Sequence, residues 1–469
     1  MENKNKEYVC VMFPYPSADA GFHIGHMYNY SIVDSYCRFL QKLGHEVFQP
    51  FGFDSFGLPT ENYARKVGKD PRTVTYENIA KFRQQMQRMN TGYEEMFATS
   101  DPEYYYWTQW LFLKLKEHDL AYKAMGKEPY CPSCDTVLAR EQVKTRVKTA
   151  EETQVHFDLM VTAPYRNDIN ICERCGSVVQ EKELEQWYFK ITAYRDRMLM
   201  HLDWIDYPEK TKNAQRKWLE NLHDWCVSRQ RPWGCPIPIE GETDTLDTFV
   251  DSSFYYVRYC DPHNNNELCA KDKYRQVDLY VGGSEHATMH LIYARFIHMF
   301  LYDIGVVPVD EPFKKVFHQG MILNNGEKMA KSKGNVISPD NYDPDVLRFY
   351  LMFLGPYDQG GSWSDQNISG ITKFIDRMKR WFEKEEFNPD TIQEYGRMGN
   401  KFGKLQSELI RYTEAFKFNK VVSTFMIFYN ENKEINLSQS EKNSIIYWLE
   451  VYMPGIREKI YTQKLKENV

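Results

Sequence analysis

The 469-residue chain has no apolar run of the roughly 18 to 20 residues that crossing a bilayer requires, and it has no internal repeat or low-complexity stretch. Its first residues, Met-Glu-Asn-Lys-Asn-Lys-Glu, lack the basic-then-apolar order of a secretory leader. The expectation is therefore a cytoplasmic protein that makes no use of the membrane. Positive charge is also scarce: 59 Lys and Arg stand against 65 Asp and Glu, a formal charge of −6. The body as a whole will not draw in a polyanion by counterion release. Only residues 371–469 lean the other way, with 17 basic against 14 acidic residues, which a solvated helical surface also explains.

A chain of this length buries enough surface to fold without disulfide staples, so its ten cysteines need another reason. Four of them, Cys131, Cys134, Cys172 and Cys175, form two Cys-x-x-Cys knuckles separated by 37 residues. Such knuckles aim two thiolates each at one tetrahedral ion, for which zinc is the default. A closed four-thiolate site keeps no open coordination position, so this metal is expected to fold its module and take no part in catalysis. Cys10, Cys37, Cys226, Cys235, Cys260 and Cys269 show no such spacing and read as small apolar fillers.

The apolar run Tyr8-Val9-Cys10-Val11-Met12-Phe13 suits a buried strand, and Met27, Val33, Tyr36 and Leu40 predict a helix of about 18 residues from near Gly25 to Gly44. Glu46 to Pro50 resumes as a strand. This is a β-α-β unit, whose first strand end and helix start together form a site for an anion or nucleotide. Residues 81–125 carry helical spacing with many aromatics. From Tyr130 to about Gln186 turns, paired cysteines and an alternating strand at Val155, Phe157, Leu159 and Val161 mark an inserted module. A second α/β block follows, with a strand at Asp278 to Val281 and a helix through Arg295 to Tyr302. Beyond Gly370, Ile371, Phe374, Ile375, Met378 and Phe382 share one helical face, and further amphipathic segments over 401–415, 418–430 and 439–454 predict an all-α end.

Three clusters carry chemistry. His23 and His26 flank Ile24-Gly25 at the helix start, where two donors at a positive dipole end can clamp an α-phosphate; histidines there also serve as plain helix-start or core residues. The segment Lys328-Met329-Ala330-Lys331-Ser332-Lys333-Gly334-Asn335 is either a solvated charged loop or a pair of ammonium groups that close on β- and γ-phosphates. In Gly282-Gly283-Ser284-Glu285-His286 the glycines let a nucleoside approach the backbone and Glu285 can accept ribose hydroxyls. His286 and His290, four apart, also fit a pair of metal ligands, but no third ligand accompanies them.

Taken together, the His-Ile-Gly-His and Lys-Met-Ala-Lys-Ser elements resemble the two signature elements of class I aminoacyl-tRNA synthetases, in the family's order. The blocks Met12-Phe13-Pro14-Tyr15-Pro16-Ser17, Gly52-Phe53-Asp54-Ser55-Phe56-Gly57-Leu58-Pro59, Trp225-Cys226-Val227-Ser228-Arg229-Gln230-Arg231, Asp247-Thr248-Phe249-Val250-Asp251-Ser252-Ser253 and Tyr280 to His286 narrow the likeness to the leucyl-tRNA synthetase family, over about residues 8–370.

The resemblance implies an α/β fold: a Rossmann-like parallel-sheet catalytic domain split by a zinc-binding insertion and followed by an all-α helical bundle. The expected divisions are 1–125 and 236–319 for the two catalytic halves, 126–190 for the insertion, 191–235 for a helical connector, 320–370 for the phosphate loop region and 371–469 for a shortened anticodon-binding-like bundle. It further implies that Met12, Tyr15, Asp54, Phe249, Ser252, Tyr280, His286 and His290 line the amino-acid pocket, with Asp54 on the substrate ammonium. His23, His26, Gly282, Gly283, Glu285, Met321 and Ile322 would hold ATP, with Lys328 and Lys331 on its phosphates; His23, His26, Lys328 and Lys331 would be catalytic. The cofactors implied are ATP, Mg²⁺ and structural Zn²⁺, the partners leucine and tRNA, and the working form a monomer.

Three departures from the family pattern stand out. No room exists between Gln215 and Trp225 for the editing insertion that bacterial leucyl enzymes carry just before Trp-x-Val-Ser-Arg-Gln. The chain stops soon after Tyr452-Met453-Pro454, where the family completes its bundle and adds a tRNA-gripping domain. Phe53 and Ala330 replace the usual Trp and Ser. One methylene in an apolar pocket is worth only about 1 to 3 kcal/mol of discrimination, so a pocket without an editor is expected to activate wrong aliphatic acids. Three readings compete: activation of leucine or a similar aliphatic amino acid and transfer to tRNA without editing; transfer by a paralogue to another acyl acceptor, such as a peptide, a carrier protein or a dedicated tRNA-dependent pathway; or a catalytically silent binding or regulatory relative, against which the intact His23, His26, Lys328, Lys331, Glu285 and Asp54 argue. Arg229 and Arg231 suit guidance of an acceptor strand and structural ion pairing equally well.

Overall fold

The computed structural model describes residues 6–16, 21–138, 142–147, 168–329, 334–384 and 395–466. At its centre lie four parallel strands, β1 (Lys6–Val11), β2 (Glu46–Phe48), β3 (Val277–Gly283) and β4 (Phe313–Gln319), in the order β4-β3-β1-β2. β1 pairs with β2 from Lys6 opposite Glu46 and with β3 from Val9 opposite Leu279. β3 runs beside β4 from Val277 opposite Phe313 to Gly283 opposite Gln319. Strands buried on both faces read as continuous apolar runs, and Val9, Cys10, Val11, Tyr280 and Val281 are all buried.

Between β1 and β2 runs α1 (Ile24–Lys42), one residue off the predicted start. A parallel pair, Pro50–Phe53 with Glu94–Ala98, carries the chain on past β2. The helical reading of residues 81–125 is thus corrected: helices cover Pro71–Arg88 and Pro102–Glu117, but Glu94–Ala98 is a strand and another begins at Ala121. The partner that turns Glu94–Ala98 into a strand is about forty residues away, beyond the reach of local periodicity.

The insertion is an antiparallel ribbon of Ala121–Cys131 against Gln180–Phe189, in register from Ala121 opposite Phe189 to Tyr130 opposite Gln180. Its tip holds the four cysteines. The expected strand at Val155, Phe157, Leu159 and Val161 lies outside the described residues. After the ribbon, Asp206 bridges to Lys315 and extends the sheet beyond β4. Helix α2 (Glu209–Glu220) then sets off alongside the turn that follows β3, and α3 (His290–Asp303) packs under the sheet.

Beyond the catalytic half, helices Pro344–Phe353, Asp365–Glu383, Tyr395–Glu414, Phe418–Asn432, Gln439–Tyr452 and Ile456–Lys466 form the predicted helical region. Ile371, Phe374, Ile375, Met378 and Phe382 are buried together as their spacing requires, in one cluster with Ile32, Val33 and Phe39 of α1. Arg348 ties the two regions: its guanidinium pairs with Asp34 at 2.6 Å, both fully buried, and donates to the carbonyls of Ser31, Met89 and Tyr452. No helix among the described residues is long and apolar enough to cross a membrane.

Candidate active site

The carboxyl ends of β3 and β4 and the start of α1 open onto a cavity of about 790 Å³, where ligands of open parallel sheets bind. His23, Gly25 and His26 face it from the start of α1, Ser284 and Glu285 from the turn after β3, and Met321, Ile322 and Lys328 from beyond β4. Sequence positions some 300 residues apart therefore share one wall, as the motif reading expects.

His23 is the N-cap of α1. Its Nδ1 accepts from the His26 amide at 3.3 Å, and Nδ1 of His26 accepts from the His23 amide at 3.2 Å, a reciprocal capping box. The rings stack at 3.8 Å. Because Nδ1 accepts in both, each neutral imidazole carries its proton on Nε2 and presents a donor. A Cβ on Gly25 would sit 2.9 Å from Cε1 of His23, so only glycine leaves the cap room to form.

Gly282 and Gly283, the last two residues of β3, lie close against neighbouring side chains. A Cβ on Gly282 would come 2.7 Å from Cε of Met12, and one on Gly283 would strike the Glu285 carboxylate. His318 on β4 keeps its Nδ1 2.9 Å from the Gly282 carbonyl, and burial lowers its pKa. Lys328 ends a hairpin in which Leu323 faces Lys328 and Asn325-Gly326 makes the turn, φ 52° and 78°. Asn-Gly is the sequence that tolerates two positive φ values in succession. Lys331 lies outside the described residues.

Beside this cavity is a second group. Asp54 is 2% exposed; Oδ1 accepts from Thr248 Oγ1 at 2.8 Å, and the Tyr15 hydroxyl is its other donor. Among the described residues no Lys or Arg pairs with it. Burial pushes its pKa up to about 8 despite those hydrogen bonds, with Asp247 adding repulsion. Phe249 adjoins Tyr15 and Thr248 on one small crevice. Met12 packs on Gly282.

The rest of the expected pocket is placed less directly. The Ser252 hydroxyl bonds back to the Phe249 carbonyl of its own helical turn. Tyr280 is fully buried, stacked on Phe313, with its hydroxyl 2.6 Å from both Tyr255 and His290 Nε2. It stands behind His290 as part of a Tyr255-Tyr280-His290 chain. Burial, helped by His286, takes the His290 pKa to about 3, so its imidazole is neutral. His286 sits in the 3-10 turn and His290 opens α3, their rings 6.4 Å apart and perpendicular. Sequence reasoning passed over Thr248, Tyr255 and His318. Thr248 lay inside a motif already singled out, whereas nothing in the local pattern marks His318.

Of the arginine pair, Arg229 is structural: it forms a buried ion pair with Asp247 and donates to the Cys226 and Ser228 carbonyls. Among the described residues Arg231 has no such pair; it lies on the Tyr15 crevice, and burial beside Arg229 lowers its pKa to about 10.

The four knuckle sulfurs lie within 4.8 Å of one another. A tetrahedral site with Zn–S bonds of about 2.3 Å has S–S edges of roughly 3.8 Å, so the cluster fits zinc with small adjustment. Three of the cysteines are buried and Cys175 is exposed. Burial raises the Cys175 thiol, but hydrogen bonds from Ser177 and the neighbouring thiols bring it down to about 6, which favours the thiolate a metal needs. Leu58 packs on this cluster and Asn62 donates to Cys134 at 3.7 Å, so the helix after Asp54 is braced by the knuckles.

A family model described as tRNA synthetases class I (M) matches residues 7–374. The chain belongs to this family. It is a class I aminoacyl-tRNA ligase similar to the leucine enzymes, and ATP use follows from the class. The leucine–tRNA ligase of Caldanaerobacter subterraneus subsp. tengcongensis is 30% identical over 709 aligned positions, covering 95% of this chain and 83% of the relative. That of Clostridium kluyveri is 31% identical over 81% of this chain and 74% of its own. Among solved structures, the Agrobacterium radiobacter K84 agnB2 LeuRS, in ternary complex with tRNA and LeuAMS, superposes with a TM-score of 0.84 at 24% identity, covering 98% of this chain and 85% of that one. Mycobacterium tuberculosis methionyl-tRNA synthetase with methionyl-adenylate gives 0.73 at 18%, covering 97% and 93%. These likenesses establish the synthetase's fold.

Proposed function

We propose that this class I synthetase activates leucine with ATP and passes the leucyl group to tRNA without an editing step. The observation that carries the reading is the unpaired buried carboxylate of Asp54 next to a cavity ringed by His23, His26, Glu285 and Lys328. A buried carboxylate with two hydroxyl donors and no cation is built to receive an ammonium.

In this reading ATP enters as its Mg²⁺ complex. The Nε2 donors of His23 and His26 meet the α-phosphate, with the positive end of α1 behind them. Glu285 accepts from the ribose hydroxyls, the backbone at Met321 and Ile322 meets the adenine, and the Gly282-Gly283 backbone lets the nucleoside come close. Lys328, joined by Lys331, holds the β- and γ-phosphates. Asp54 holds the leucine ammonium while Met12, Tyr15, Phe249, Ser252, His286 and His290 enclose the side chain, Tyr280 fixing the ring of His290. The leucine carboxylate attacks the α-phosphorus, the bond to pyrophosphate breaks, and the lysines stabilise the departing charge. A terminal ribose hydroxyl of tRNA then attacks the leucyl carbonyl and AMP leaves. Zinc on Cys131, Cys134, Cys172 and Cys175 supplies rigidity to the insertion and no chemistry.

The absence of editing is supported by the close join between α2 and Trp225, with only Asn221 to Asp224 between them. It is supported also by an alignment of 709 positions against a chain of 469 residues, which leaves a long stretch of the relative without a counterpart. The test is charging of bulk tRNA with labelled leucine, followed by the lifetime of tRNA charged with a near-leucine aliphatic acid. Leucyl-tRNA should form, and the mischarged product should not be hydrolysed faster with enzyme than without. Enzyme-accelerated hydrolysis would overturn the no-editing reading; failure to charge any tRNA would overturn the choice of acceptor.

A further inference from the structure

By spacing alone Cys260 and Cys269 read as separate apolar fillers, yet the fold brings them together. A short helix, Tyr255–Arg258, ends just before Cys260; the chain then loops out from Asp261 to Leu268 and returns at Cys269. Side chains build the neck of this loop. Arg258, 1% exposed, donates through Nη1 to the Asp261 and Leu268 carbonyls at 2.8 and 3.0 Å, and through Nη2 to that of Pro262 at 2.7 Å. The Asp261 carboxylate accepts from the Ala270 amide at 3.1 Å and from the Asn264 side chain at 2.7 Å. Asn264 in turn accepts from the amides of Asn266 and Glu267, which folds the tip back.

These bonds tie Arg258 and Asp261 to Leu268 and Ala270, the chain on either side of the two cysteines, and a hydrogen bond joins the cysteine side chains themselves. Cys269 is buried. Cys260 is half-buried, with Sγ 3.7 Å from the Tyr256 carbonyl oxygen and 3.6 Å from that of Arg275. The hydrogen bond from the Cys269 thiol lowers the Cys260 pKa, and Arg275 adds to the effect against burial and Asp261. The same bond, with burial, raises that of Cys269. The thiolate therefore gathers on the sulfur that solvent reaches, with a protonated thiol beside it. A thiol that meets an oxidant and a second that resolves the product need that division.

We propose that Cys260 and Cys269 are an oxidation site that a peroxide closes to a disulfide, stapling the loop Asp261–Leu268 at its neck. The Cys260 thiolate attacks one oxygen of hydrogen peroxide. The O–O bond breaks, hydroxide leaves and takes up a proton to become water, and Cys260 becomes a sulfenic acid. The Cys269 sulfur then attacks the Cys260 sulfur; the S–S bond forms, the S–O bond breaks, and hydroxide leaves with the Cys269 proton as a second water. Both sulfurs are oxidised and the peroxide is reduced. Because the neck is already formed, closure needs little movement of the helix that carries Tyr255 to Tyr280 and His290.

The test treats the zinc-loaded chain with hydrogen peroxide, alkylates free thiols in denaturant and digests with trypsin. Cleavage after Arg258 and Lys271 releases Tyr259–Lys271, which holds both cysteines. This peptide should appear unalkylated and two hydrogens lighter than its dithiol, and dithiothreitol should restore alkylation at both positions. The oxidised protein should also melt above the reduced one, since the bridge restricts the unfolded chain. In Cys269→Ser the Cys260 sulfenic acid meets no thiol and should be captured by dimedone, whereas the wild type should give no such adduct. Should that variant fold poorly, the wild-type peptide map decides alone. A peptide that stays alkylated at both cysteines under peroxide, or a Cys260 that gains two oxygens while Cys269 remains free, would overturn the assignment.

Discussion

Thr248 Oγ1 donates to Asp54 Oδ1 at 2.8 Å across 194 residues of sequence, and both side chains are buried. Two donor hydroxyls, from Thr248 and Tyr15, orient a carboxylate whose pKa burial has raised to about 8. An ammonium arriving beside it favours the ionised form, so leucine binding should release a proton below pH 8. Leucine affinity should then weaken by about tenfold for each pH unit below 8, since leucine keeps its own proton throughout that window. Calorimetric titrations at pH 6, 7 and 8 in buffers of different ionisation enthalpy measure both effects.

The same shift reports on stability. The unfolded carboxyl ionises near 3.8 and the folded one near 8, so over that interval the folded state holds the extra proton. Stability of the ligand-free protein therefore falls as pH rises from about 4 to 8. Asp54→Asn, which carries no charge, should melt above the wild type by a margin that is larger at pH 8 than at pH 5, and should lose leucine-dependent exchange at both. Melting curves at the two pH values decide it.

Lys328→Ala and His26→Ala should each lower the exchange rate by about 10²- to 10³-fold. They differ in the melting temperature. Lys328 is exposed at the end of its hairpin and should leave it unchanged, whereas His26 closes the capping box of α1 and its loss should cost about 1 kcal/mol. A matched pair of rate and melting measurements separates the two roles.

Removing zinc with a chelator, or making Cys172→Ser, should reduce bound metal and expose the ribbon between Ala121 and Phe189 to protease. Metal analysis and mapping of the first cleavage sites would show whether loosening is confined there. Because Leu58 and Asn62 rest on the knuckles, the leucine KM should rise while the residual kcat changes little.

Arg348→Met should destabilise the protein by about 1 to 3 kcal/mol, because the carbonyls of Ser31, Met89 and Tyr452 lose a buried donor and Asp34 loses one of its two guanidinium partners, keeping Arg38 at 2.8 Å. Denaturant titration gives the value.

Much of this was legible in the sequence where local rules govern. The β1-α1-β2 unit followed from one apolar run, one helical stripe and the glycine stops, and the Cys-x-x-Cys spacing located four sulfurs that come together within 4.8 Å. The amphipathic stripe at Ile371 to Phe382 located its helix for the same reason. What escaped was set by distant partners. Glu94–Ala98 is a strand because Pro50–Phe53 offers a free edge. Arg229 and Arg231, two apart and indistinguishable in sequence, part company because Asp247 makes its ion pair with the first. The contribution of α2 to the cavity wall depends on Asp206 adding to the edge of β4, a contact no local pattern encodes.

The most direct measurement is amino-acid-dependent ATP–pyrophosphate exchange by the purified chain, run with each of the twenty amino acids and no tRNA. Convergence of His23, His26, Glu285 and Lys328 on one cavity beside Asp54 requires strong exchange with leucine, weaker exchange with other branched aliphatic acids, and none with acidic or basic ones. Absence of exchange with all twenty, or exchange that survives in Asp54→Asn, would contradict it.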